Sequence, residues 1–161
     1  MNRKVRRYLA AAAAISCLCQ TGMITSMAYS FDVGELEISM DQEASQVLQE
    51  LGKAENYYEA QSCEHQGKEK VFTYAGFELS TYPSGSKDHI KSVWFLSEDT
   101  TTPEGIHIGS TIQEMEKAYG SDHVEEKGSY IYTAEDSVLT FYTKKDLVSG
   151  IEYKAIEKSE R

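Results

Sequence analysis

Apolar residues recur along this chain at two different intervals, and each change of interval marks a new element. Ala44, Val47, Leu48 and Leu51 stand three and four apart, as do Ile112, Met115 and Tyr119. Such spacing lays one apolar stripe along a helix. Gly52 and Gly120 follow as helix stops, while Asp41 (with Ala44 as the third helical residue) and Ser110 or Thr111 occupy N-cap places. Elsewhere the interval falls to two. Residues 36–40, 71–74, 77–79, 90–95, 129–132, 139–141 and 148–153 are short alternating runs rich in β-branched and aromatic side chains, which predicts strands. Ala75-Gly76 and the polar clusters at 83–86, 134–136 and 144–146 separate them as turns.

The two helical stretches lie 68 positions apart, with Ala44 matching Ile112, Val47 matching Met115 and Leu51 matching Tyr119. Leu36–Met40 precedes the first and Ile106–Ile108 the second. The strands after them correspond with small shifts. The expected fold is α+β: two tandem strand–helix–(β)3–4 repeats forming one antiparallel sheet with both helices on one face. On this reading residues 29–96 are the first repeat, 97–105 the connection and 106–161 the second repeat.

Residues 1–28 have a different character. Arg3, Lys4, Arg6 and Arg7 precede an apolar run with five consecutive alanines, and Ser26-Met27-Ala28 sets small residues before Tyr29. This is the layout of a secretory signal peptide, cut before Tyr29. Ala14-Ile15-Ser16-Cys17 offers a competing route, lipidation of Cys17 as in a lipobox. Simple secretion is the favoured reading, with a membrane-anchored envelope lipoprotein as the alternative. After the cut only Cys63 remains, so no internal disulfide forms.

Removing the leader also sharpens the charge. Four of the 16 Lys and Arg and none of the 26 Asp and Glu lie in residues 1–28, leaving 12 basic against 26 acidic side chains, a formal −14. That surface excludes nucleic acid or anionic lipid held by non-specific attraction, and favours a basic protein partner. Membrane contact is expected only through a lipid on Cys17.

Glu104-Gly105-Ile106-His107-Ile108-Gly109-Ser110-Thr111, a short helix, then Tyr119-Gly120 and three strands, resembles the tandem-repeat domains of β-lactamase inhibitory proteins. The same unit occurs singly in small outer-membrane lipoproteins of the SmpA/OmlA kind. Phe77–Pro83 and Ile90–Val93 look like stretches of uncharacterised secreted or lipid-anchored Gram-positive proteins. In the inhibitors the open face of the sheet grips a partner protein, and the resemblance implies that use here. It carries over no β-lactamase-contact residue.

Alternation assigns Phe77, Leu79, Val93, Phe95, Leu139, Phe141, Ile151 and Tyr153 to the core. Glu78, Ser80, Tyr82, Trp94, Val138, Thr140, Tyr142 and Glu152 then share the opposite face. Tyr82, Tyr142 and the single tryptophan, Trp94, with Glu78 and Glu152, form the candidate binding surface. Catalytic and metal readings are weaker. His65, His89, His107 and His123 show no ligand spacing, and Asp122-His123 with Glu125-Glu126 reads as a solvated acidic turn. Cys63 two residues from His65 reads as an ordinary loop residue. No nucleophile, phosphate or dinucleotide motif is present, and Glu78 with Glu152 is only a formal glycosidase pair. The expectation is a secreted, non-enzymatic protein-binding module without cofactor or metal. An envelope-assembly lipoprotein and an extracellular hydrolase are the alternatives.

Overall fold

A computed structural model describes residues 28–156. The leader expected over residues 1–28, Cys17 with it, lies outside the described residues apart from Ala28.

The chain runs β1 (Ser30–Val33), β2 (Leu36–Ser39), α1 (Ala44–Leu51), β3 (Asn56–Gln61), β4 (Lys68–Tyr74), β5 (Phe77–Ser84) and β6 (Lys87–Phe95). It continues with α2 (Ile112–Tyr119), β7 (Val124–Glu126), β8 (Ser129–Thr133), β9 (Ser137–Lys144) and β10 (Leu147–Ala155). β1 and β2 form a small hairpin of their own. The other strands make one eight-stranded sheet in the order β3-β4-β5-β6-β10-β9-β8-β7, antiparallel throughout. The architecture is α+β, dominated by strand.

The joint in the middle of that sheet is short. β6 and β10 pair only over Ser92–Trp94 with Glu152–Lys154. Beyond that stretch, the segment entering each helix fills the vacant edge. Asp41 N–H donates to Ile90 O and Ile90 N–H to Gln42 O, each at 2.9 Å. On β10, Gly109 N–H donates to Val148 O and Val148 N–H to Ser110 O, each at 2.8 Å.

This use of the backbone moves one helix start. Asp41 is not the cap: residues 41–43 are spent on β6, so α1 begins later, at the N-cap Glu43, which makes no side-chain cap bond. Asp41 instead holds φ of +64°. α2 starts at Thr111, one of the two expected positions, with a full capping box: Glu114 N–H donates to Thr111 Oγ1, and Thr111 N–H to Glu114 Oε2 at 2.8 Å. Ile106–Ile108 does not form a strand. It makes one isolated bridge, Thr101 to His107, and buries Ile106. The expected acidic turn at 122–126 contributes Val124–Glu126 to an edge strand, β7.

The core lies on one face of the large sheet. All eight residues assigned inward are buried there. Ala44 and Val47 of α1, Met115 of α2, and Phe31 and Ile38 of the hairpin close over them. Phe31 meets the rings of Phe77 and Phe95 at 5.1 Å. Both helices and the hairpin thus occupy the same side, leaving the other face of the sheet uncovered by them.

Candidate functional site

Because Val93 and Phe95 point into the core, the residue between them must point away from it. Trp94 therefore stands on the second face, half-buried, at the thin central joint. Its direct neighbours across the sheet are Glu78 on β5 and Glu152 on β10, and Glu152 in turn faces Thr140 on β9. One row thus reads acid, tryptophan, acid, threonine across four strands.

Tyr142 joins this row diagonally. Its partner across β9 and β10 is Gly150, and a Cβ at Gly150 would lie 3.3 Å from Trp94 Cζ2 and 3.5 Å from Tyr142 Cδ2. The absent side chain lets both rings settle against the strand. Trp94 and Tyr142 are 5.1 Å apart between ring centroids. The Tyr142 hydroxyl donates to Glu152 Oε2 at 2.8 Å. Burial, and then that hydrogen bond, push the Tyr142 phenol up to about 12. A glycine inside an alternating strand pattern is the sequence signal for such close approach.

The face extends further than the alternating runs foresaw. Ser80 and Ser92 hydroxyls lie 2.6 Å apart in the next row. Tyr58 pairs with Val71 at one edge and Val124 with Ile131 at the other, both on this face and both well exposed. Their strands, β3 and β7, were not expected.

Tyr82 departs from its expected exposure. It is only 6% exposed. A register shift between Ser80 and Thr81 leaves both Thr81 and Tyr82 buried in succession. The β3–β4 loop then folds over this end of the sheet. The His65 ring meets Tyr82 at a tilt, 4.9 Å between ring centroids, and Gly67 approaches Pro83 closely. The Tyr82 hydroxyl donates to Asp41 Oδ1, and His89 Nδ1 lies 2.7 Å from Asp41 O. Tyr82 thus ties the open face to the entry of α1.

The same loop brings together groups whose sequence spacing gave no sign of it. Single donor atoms of Glu64, His65 and Glu69 lie within 4.8 Å of one another. Lys91 Nζ sits among them, 2.9 Å from Glu69 and 3.6 Å from Glu64, so an ammonium already balances these carboxylates. Cys63 is exposed in this loop. His123 turns to Glu116 at 3.3 Å and to the rings of Tyr130 and Tyr132. Glu78 and Glu152 are kept apart by the strand carrying Trp94.

No protein-family model matches the chain, and no curated protein does. Among solved structures it is similar to an extracellular protein containing an SCP domain from Bacillus anthracis strain Ames. The TM-score is 0.52 at 12% identity, over 71% of this chain and 43% of that one. That likeness concerns the fold. No helix among the described residues is long and apolar enough to cross a membrane.

Proposed function

We propose that this chain is a secreted, non-enzymatic binding module that holds a protein partner on the open face of its eight-stranded sheet. One observation carries the reading: Trp94 and Tyr142 form an aromatic pair at the centre of that face, beside Glu78 and Glu152 and half-open to solvent. Rigid aromatic rings in a polar surround add contact area at small entropy cost, which is how binding hot spots are built. The neighbouring carboxylates and the acidic composition favour a basic patch on the partner and make the association salt-dependent. The extracellular nature of the similar bacillary protein is in keeping with export.

We also read the sheet as two related halves. The order β3-β4-β5-β6 on one side is answered by β7-β8-β9-β10 on the other, each half following one helix and meeting its counterpart at β6 and β10. The binding row crosses that meeting line.

The test is capture of extracellular and envelope proteins on immobilised chain, comparing wild type with Trp94→Ala/Tyr142→Ala after thermal melts establish that the variant folds. Loss of roughly tenfold or more in recovery of a specific band, with recovery falling as salt rises, supports the reading. Equal recovery by the two chains overturns it.

A further inference from the structure

A second feature lies on the helix side of the sheet. Between the β1–β2 hairpin, the connection at Pro103-Glu104 and the end of α2 is a cavity of about 440 Å³. It is large enough for a small ligand or a long side chain. Its lining holds three phenols, Tyr29, Tyr119 and Tyr153, and three carboxylates, Asp32, Glu37 and Glu104, with no Lys, Arg or His among the described lining residues.

The arrangement follows from the hairpin register. Phe31 pairs with Ile38 and both enter the core, so the next pair, Asp32 and Glu37, must share the opposite face. Two carboxylates directly across a strand pair repel. At the floor of the cavity Tyr153 is 1% exposed, and among the described residues its hydroxyl has no partner at full hydrogen-bond geometry. The hydroxyls of Tyr119 and Thr102 are near enough to act on it, as are the charges of Glu104 and Asp32. The Tyr119 hydroxyl donates to Glu104, and the ring of Tyr29 meets Tyr119 edge-on at 6.3 Å. Burial foremost, reinforced by the carboxylates, holds all three phenols above their ordinary range, so they remain neutral rings at physiological pH.

Aromatic rings and carboxylates around one cavity repel anions and leave an apolar guest beside charges it cannot pair. They attract a cation with an alkyl body. We propose that this cavity binds an organic ammonium group, seated against the rings of Tyr29 and Tyr119 and facing Asp32, Glu37 and Glu104. The group reaches the site either as a free alkylamine or as a lysine side chain. The site is separate from the open face and does not depend on the reading given for it.

Titration of the full chain with n-butylammonium chloride and with Nα-acetyl-lysine methylamide, each against sodium chloride at matched ionic strength, tests the proposal. Saturable heats and shifted tyrosine ring resonances are expected from at least one ammonium probe. Asp32→Asn/Glu104→Gln is expected to bind it roughly tenfold more weakly. This variant loses one of two opposed like charges, and the amide oxygen at position 104 can still accept from the Tyr119 hydroxyl, so its folding is not expected to suffer, and Glu37→Gln repeats the test from the other hairpin strand. Tighter binding of the lysine derivative assigns a peptide source, and tighter binding of n-butylammonium a free amine. No saturable binding, an equal response to sodium alone, or undiminished binding by the charge variants overturns the proposal.

Discussion

Trp94 and Tyr142 meet over Gly150 with their ring planes at 46°, on two strands separated by the one that carries the glycine. Gly150→Ala is therefore expected to lift the tryptophan ring. Alanine relieves the entropic cost of a strand glycine, while the crowded ring opposes it, so stability should change by less than about 1 kcal/mol. Because the chain has one Trp, its emission reports this site, and a shift to the red is expected. Unchanged emission would mean that the rings do not rest on the glycine.

Tyr142 gives a pH signature. Its folded value, about 12, lies above the ordinary 10, so the neutral phenol is the form the fold favours. The stabilisation is fully present below pH 10 and is lost as pH rises from about 10 through 12. Glu152→Gln removes the charged acceptor and should bring the Tyr142 transition down towards 10 in a tyrosinate absorbance titration. A transition that stays in place would assign the whole shift to burial.

Tyr82 should behave as a structural residue. Tyr82→Phe loses the hydrogen bond to Asp41 and should cost about 1–2 kcal/mol, whereas Tyr82→Ala opens a cavity under the β3–β4 loop and should cost about 3–5 kcal/mol. Denaturant melts distinguish the two. Partner capture by a folded Tyr82→Phe chain should match wild type.

The β9–β10 turn can be improved. Lys145 and Asp146 both hold positive φ, +55° and +61°, in a two-residue connection that favours Asn-Gly. Lys145→Asn/Asp146→Gly should raise stability by about 0.5–1 kcal/mol, visible as a higher thermal midpoint. The Ile112 N–H bond to the carbonyl of residue 146 survives the change, because only side chains differ. A lower midpoint would count against this turn geometry.

The core was readable because Leu79, Val93, Leu139 and Ile151 stand at alternate positions of strands that bury one face. Trp94, Tyr142, Glu78 and Glu152 followed from the same rule. Tyr82 did not, because one register shift and a covering loop cancel what alternation implies. β3 was hidden for another reason: as an edge strand, Asn56–Gln61 carries exposed side chains on both faces and shows no period. Asp41 looks like a cap in the sequence, and only the vacant edge of β6 explains why its backbone is used elsewhere. The phenol-lined cavity joins Asp32, Glu104 and Tyr153, residues that no local pattern can associate.

The short β6–β10 joint has a mechanical consequence. Three residue pairs connect the two sides there, against eight between β9 and β10, so the line through Trp94 and Glu152 is a weak seam between the two sides under shear. A partner seated on Trp94 and Tyr142 touches strands on both sides of that line. It would act as a splint across the seam, and amide protons of residues 92–94 and 152–154 should exchange more slowly with it in place.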